Sequence, residues 1–161
     1  TEEEIELQIP ENLSSSPKIV VLIGKSPKKS FDHAVIPVLF RQYQDGPTEK
    51  VSNSREFAGY THGYNHSRFA RQVHDLLSVI AYLRAQTKQP IKIHAMQGFE
   101  AQAIVASYLA GNLINKVVVE SSNFRFSQIT NYSDPHFLPG AIKYGDLDFL
   151  IQVLGKKLKH S

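Results

Sequence analysis

The segment KIVVLIG at Lys18–Gly24 constrains this chain more than any other. It is an unbroken apolar run of strand length, rich in β-branched residues. A strand with one wet face alternates apolar and polar residues. A continuous run needs cover on both faces, as in a parallel sheet. Two further strand-length segments follow, IKIHA at Ile91–Ala95 and KVVVE at Lys116–Glu120. Before the first of these, Phe69, Val73, Leu76, Leu77, Ile80 and Leu83 fall at helical spacing. Asn65 or Ser67 is the expected N-cap, Gln86 the expected end, and Arg68, Arg71, Gln72, Asp75 and Arg84 the expected outer face. An Ala-rich helix, about Phe99 to Ala110, joins the two strands and ends at Gly111 and Asn112. Helix, strand, helix, strand with short joints is a parallel α/β unit with right-handed crossovers. The expected fold class is α/β: a three-layer sandwich with a mainly parallel sheet of four or five strands. Lys18–Gly24, Ile91–Ala95 and Lys116–Glu120 should be parallel neighbours, with the helix Arg68–Gln86 on one face.

The remaining segments fill in around this unit. Ile5, Leu7 and Ile9 alternate with polar residues and read as a short strand, and PENLSSSP at Pro10–Pro17 reads as a linker. Phe31–Phe40 contains Pro37, which points to an edge strand or a short helix entering a strand. Arg41–Gly63 is polar and aperiodic, an irregular loop of the functional or mobile kind. Asp134–Gly145 is expected to fold over the C-terminal strand ends, held by Phe137, Leu138 and Tyr144. The last helix is expected from Asp146 to Leu158. The whole is read as one domain, residues 1–161, with residues 1–17 as N-terminal strand and linker and 18–161 as core.

Composition removes several function classes. The chain has 161 residues, 42% hydrophobic, and no cysteine, which excludes a disulfide framework and a cysteine nucleophile. No apolar run approaches the roughly 20 residues of a membrane helix, so no membrane partner is expected. The net charge is +3. Its sources in sequence are Lys25, Lys28 and Lys29 in a turn, and Lys156, Lys157, Lys159 and His160 at the end. That is not the basic stripe with interleaved aromatics that nucleic acid calls for, so no nucleic-acid partner is expected. Thr1–Ile9 is acidic and no signal peptide, and the chain lacks an initiator Met, so it reads as a processed or partial chain. Cytoplasmic, periplasmic and secreted locations all remain open. A homo-oligomer, paired through a strand edge or the final helix, and a larger parent chain are the two expected associations.

In open α/β sheets ligands bind at the C-terminal ends of the strands. Gly24–Ser30, the 41–63 loop, Ala95–Phe99 and Glu120–Phe126 arrive there. Strand, sharp turn and Ala-rich helix around Ala95–Phe99 form the setting of a nucleophile elbow, G-x-S-x-G. In that frame Gln97 stands where the serine belongs, and an amide is not a nucleophile. Phe99 occupies the last position, and Gly98 supplies conformational freedom one residue early. The binding residues expected at this edge are Gly24, Lys25, Met96, Gln97, Gly98, Asn123 and Arg125. His94, Ser121 and Ser122 are secondary catalytic candidates: a displaced serine would have His94 as its base. The ordinary alternatives are a backbone-bonded His94, a serine turn at the strand end, and an Arg125 that pins its loop to the sheet. Glu100 complements the helix dipole. Asp134 and Asp146 read as caps. His62, His66 and His74 lack the compact geometry of a zinc site, so no metal and no cofactor are expected.

Three further blocks, GYNHSRFARQVHDLLSVIAYLRA (Gly63–Ala85), SSNFRFSQIT (Ser121–Thr130) and DPHFLPGAIKYGDLDFL (Asp134–Leu150), together with the degenerate elbow, carry a resemblance. Gly63–Leu150 resembles the α/β-hydrolase superfamily, and more narrowly is similar to bacterial acetyl xylan esterase-like proteins. The resemblance implies a hydrolase-like sheet and a carbohydrate or ester small molecule as ligand. It does not supply a nucleophile at Gln97. In the superfamily the acid and His lie on later loops, after strands that follow a segment like Gly140–Leu154, whereas this sequence ends at Ser161. The implied sheet is therefore truncated. Three readings follow: a fragment of a larger hydrolase-like protein inactive alone, a scaffold or interaction domain, or an esterase completed by a missing segment or partner chain.

Overall fold

The computed structural model describes residues 9–11, 13, 15–24, 34–38, 66–120, 123–132 and 134–161. Five strands run through it: β1 (Ile19–Ile23), β2 (Ala34–Val38), β3 (Ile91–Ala95), β4 (Lys116–Val119) and β5 (Leu158–His160). They form one sheet in the order β2-β1-β3-β4-β5, and every pair is parallel. The three apolar segments read from sequence are thus the three central strands, adjacent and parallel. Among the described residues three helices follow β2, β3 and β4: α1 (Arg68–Gln86), α2 (Glu100–Leu109) and α3 (Asp146–Leu154).

The order explains the burial. From β2 onward each connection advances in the same direction across the sheet, so right-handed crossovers set α1, α2 and α3 on one face. One hydrophobic cluster holds Ile19, Val21, Ile23, Ile36, Ile91, Ile93, Val117 and Val119 together with Phe69, Leu76 and Ile80 of α1, Ile104 of α2 and Leu147 of α3. Each fully buried aliphatic side chain of this kind contributes about 1.5–3 kcal/mol. The opposite face carries Val20, Leu22 and Val118, which are also withdrawn from solvent. Both faces of β1 are buried along its whole length, as a continuous apolar run requires, and the architecture is that of an α/β three-layer sandwich.

Local chemistry sets the element ends. Ser67 caps α1, its hydroxyl accepting from the Ala70 N–H at 3.2 Å. Pro37 is accommodated because β2 lies at the edge of the sheet, paired among the described residues with β1 alone. Arg84, in the last turn of α1, donates to the carbonyls of Leu113 (2.8 Å) and Gln89 (2.7 Å) and to Asn115 Oδ1 (3.0 Å). The same Asn115 oxygen accepts from the Ile91 N–H at 3.0 Å. One guanidinium therefore ties the end of α1 to the starts of β3 and β4.

Four sequence readings are corrected. Gln72 is not on the outer face of α1 but buried, its Oε1 accepting from Gln102 Nε2 of α2 at 2.8 Å, which gives the buried amide a partner on the facing helix. The last helix stops at Leu154 rather than Leu158, because Gly155 takes a positive φ of 49° and a short 3-10 turn follows. Leu158–His160 then becomes β5, with Leu158 packed against the core. The stretch read as a linker is partly core: Leu13 and Ser16 are buried, and the Leu13 N–H closes a turn on the Pro10 carbonyl at 3.1 Å. Finally, of the three expected loop anchors Tyr144 is not one, being 72% exposed; Leu138 packs against the core as read, joined by Ala141, and Phe137 packs edge-on against Tyr132 at 5.5 Å between ring centroids. Ile9 is exposed and outside any strand; Ile5, Leu7 and the 41–63 loop lie outside the described residues.

Candidate functional site

The strand order reverses between β1 and β3, since β1 leads to β2 on one side and β3 to β4 on the other. That reversal opens a crevice beyond the carboxyl ends of the two strands, where ligands bind in sheets of this type. At this switch point Gly24 and Met96 meet. The Met96 N–H donates to the Ile23 carbonyl at 3.0 Å, prolonging the β1–β3 pairing by one bond. Gly24 has φ +111°, and a Cβ there would lie 2.8 Å from Met96 Cβ. No side chain fits at that position.

The turn that follows is not built as a serine elbow. Among the described residues the only non-glycine with positive φ is Asp146, so Gln97 does not occupy the strained position. The positive φ, +91°, falls on Gly98. The Phe99 N–H closes the turn on the Met96 carbonyl at 3.1 Å. Both amides of the turn are already donated to carboxylates. Gln97 N–H reaches Glu120 Oε2 at 3.0 Å, and Gly98 N–H reaches Glu100 Oε2 at 2.9 Å. Glu120 ends β4. Glu100 opens α2 and is buried, and its other oxygen has no hydrogen-bond partner. The helix-dipole role read for Glu100 is thus joined by a specific bond that folds its carboxylate back over the turn.

A loop from the C-terminal third closes over the same turn. His136 Nε2 lies 3.3 Å from the Gly98 carbonyl, and His136 Nδ1 lies 3.4 Å from Asp134 Oδ1. That Asp134 oxygen also accepts the His136 backbone N–H at 2.8 Å, so Asp134 caps its turn as read. The imidazole packs on Phe124 at 5.2 Å between ring centroids. Both ring nitrogens face oxygen, and only a doubly protonated ring donates to both. His136 was not among the residues singled out from sequence. The Asp-x-His spacing was the available signal, but nothing local said that this loop returns to β3.

The remaining candidates separate. Arg125 donates to the Phe124 carbonyl at 2.8 Å and pairs with Asp148 Oδ1 at 2.6 Å. It pins its loop to α3, not to the sheet, and its charge is committed. Asn123 is exposed. His94 sits on the sheet face opposite the helices, half-buried. Burial and then the neighbouring Lys92 push its imidazole below the ordinary value, against the pull of Glu120. The backbone bond read for its ring is not present; its neighbours there are charged. Lys25, Ser121, Ser122 and His62 lie outside the described residues. His66 and His74 are exposed, and no group of three His, Asp or Glu among the described residues has a metal-binding arrangement.

Asp146 is not the N-cap of α3, which is Gly145; it is the first helical residue, and its carboxylate works across the turn. At φ +57° its carboxylate accepts from Leu147 N–H (2.7 Å), Phe126 N–H (2.8 Å) and Ser127 N–H (3.0 Å). Burial alone would raise its pKa, but the bonds from Ser127, Leu147 and Phe126 outweigh it and hold the carboxyl below the usual value. It fastens the 126–128 turn, and with it the approach of Phe124 to the crevice, to the start of α3.

No protein-family model, no curated protein and no solved structure matches this chain.

Proposed function

We propose that the chain is an α/β-hydrolase-like domain whose crevice between β1 and β3 has lost the serine mechanism, and that it serves a larger carbohydrate-ester hydrolase-like protein as a non-catalytic part. One observation carries this reading. In a serine elbow the backbone N–H after the nucleophile stabilises the oxyanion. Here that position is Gly98, and its N–H is donated to Glu100. The N–H before it is donated to Glu120. An oxyanion forming at this turn would have to displace a carboxylate and then stand beside it, the reverse of the preorganised donors that acyl transfer needs. Gln97 adds no nucleophile. The carbohydrate or ester ligand rests on the sequence resemblance.

The Asp134–His136 pair favours a second reading, an esterase in which a serine displaced to the end of β4, Ser121 or Ser122, is the nucleophile. An acid and an imidazole already stand at 3.4 Å next to the turn. The two readings part in one assay. The chain is incubated with p-nitrophenyl acetate and with a fluorophosphonate probe for activated serines. The first reading expects no turnover above background and no label. Turnover that disappears in His136→Ala together with Ser121→Ala or Ser122→Ala establishes the second.

A further inference from the structure

His136 holds a turn of the C-terminal third against the crevice by a contact that its ring completes in one protonation state alone. The turn itself is closed locally. The Asp134 N–H donates to the Asn131 carbonyl at 3.1 Å, and the Phe137 N–H to the Asp134 carbonyl at 2.9 Å. Both bonds stay within the loop. The His136 ring crosses to the Met96–Phe99 turn, its Nε2 3.3 Å from the Gly98 carbonyl, while its Nδ1 faces Asp134 Oδ1 at 3.4 Å. An imidazolium donates to both oxygens. A neutral ring has one N–H and turns a lone pair toward the other oxygen. Among the described residues, the charged groups on the elements around the ring are three carboxylates and one cation. Asp134 lies in its own turn, Glu100 of α2 holds the Gly98 N–H, and Glu120 at the end of β4 holds the Gln97 N–H. The cation is Arg125, beside the Phe124 ring that packs on the imidazole, and it is drawn away to Asp148. The His136 side chain is 31% exposed, so protons reach it from solvent. Gln97 and Gly98 are the exposed tip of the crevice turn, so the position of His136 sets how much of that tip is covered.

We propose that His136 is a proton-operated latch on the crevice. As imidazolium it clamps the turn of residues 134–137 onto the Gly98 carbonyl. When the ring loses its proton, one of the two bonds is lost and the turn lifts from Gly98. The sign follows from the donor count: the latch is closed at acid pH and released as pH rises through the titration of the ring. Imidazole is the side chain whose charge ordinarily changes between about pH 5 and 8, and bonds from its charged form are the stronger ones. Leu138 and Ala141 pack against the core, so the lift is confined to the residues before them. The latch needs no nucleophile, and it holds or fails independently of either reading of the crevice.

The test is NMR on the full chain between about pH 5.5 and about pH 8. The His136 ring resonances follow its protonation. Solvent exchange of the His136 and Phe137 amides, divided by the intrinsic rate at each pH, follows the turn. Protection of these two amides is expected to fall about five- to tenfold across the ring titration, while the amides of β3 stay protected. The Gly98 carbonyl 13C resonance is expected to move with the same midpoint as the ring. His136→Gln keeps a neutral donor at every pH, so its protection is expected to be flat. Unchanged protection in the parent while the ring titrates would overturn the proposal. So would a Gly98 carbonyl resonance that ignores the ring. The same pH dependence in His136→Gln would place the titrating group elsewhere and overturn it too. The carbonyl measurement uses the parent chain alone, so it decides the matter even if the variant does not fold.

Discussion

The Glu120 carboxylate holds the backbone N–H of Gln97 at 3.0 Å. The contact spans the ends of β3 and β4 and closes the turn that a serine hydrolase would leave open to its substrate. A hydrogen bond to a charged acceptor is worth about 1.5–3 kcal/mol when fully formed in the interior, and less where water competes. Glu120→Ala is expected to leave the core intact while the Gln97 amide exchanges with solvent markedly faster, read by hydrogen exchange. An unchanged Gln97 exchange rate in Glu120→Ala would mean that the contact does not close the turn. The same variant combined with Gln97→Ser is the natural attempt to restore chemistry. Gln97→Ser alone is expected to yield no p-nitrophenyl acetate turnover, because Glu100 and Glu120 still occupy the donors.

The two glycines of the crevice differ in what they tolerate. Gly24 combines φ +111° with a Cβ approach of 2.8 Å to Met96. Gly98 has φ +91° but open space around the added carbon. Gly98→Ala therefore meets backbone strain alone, about 1 kcal/mol, while Gly24→Ala meets strain and a clash that Met96 Cβ cannot evade, more than about 2 kcal/mol. Urea denaturation of the two variants measures the difference. Equal losses would place the constraint in the backbone only.

Acid stability should pass through Asp146. Its folded pKa lies below the ordinary carboxylate value, because three backbone N–H bonds outweigh burial. The folded state therefore binds this proton less readily than the unfolded chain. The resulting stabilisation is fully present above the unfolded value and is lost as pH falls through the folded one. Asp146→Asn is expected to lower stability at neutral pH by about 1 kcal/mol and to flatten the dependence on pH below about 4. The amide keeps one accepting oxygen and a residue type that tolerates positive φ, but it cannot accept from both Phe126 and Ser127 with the two atoms they now use. Parallel acid limbs for parent and variant would contradict this account.

The β3–β4 pair should gain from losing a like charge. Lys116→Glu places opposite charges across the Lys92–Lys116 pair. Such a cross-strand pair is favourable by about 0.2–1 kcal/mol, where the parental pair is unfavourable. The variant is expected to be more stable by roughly 0.5 kcal/mol at low ionic strength. A loss of stability in chemical denaturation would show that the lysines do not repel across the sheet.

The sequence by itself determined the sheet. Lys18–Gly24 had to be covered on both faces, Ile91–Ala95 and Lys116–Glu120 on at least one, the helical spacing of Phe69 to Leu83 had to supply cover, and short joints left parallel pairing with right-handed crossovers as the solution. These signals are local: periodicity, β-branching, and caps such as Ser67. The end of the last helix was missed in the sequence, which reads as helix through Gly155 to Leu158, whereas the positive φ of Gly155 stops it at Leu154 and the Lys-rich tail turns into β5. The crevice was legible only in part. Gln97 in the elbow frame and the compensating Gly98 could be read from the turn, but not that Glu100 and Glu120 consume its amides, since Glu120 joins the turn only through the pairing of β4 with β3. Tertiary structure alone decided the long-range relationships. It brought His136 onto the Gly98 carbonyl, buried Gln72 against Gln102, turned Leu158–His160 into a strand, and set Lys92 opposite Lys116. Each depends on strand register between segments far apart in the chain, and register is fixed by the packing of the whole core rather than by any residue's own preference.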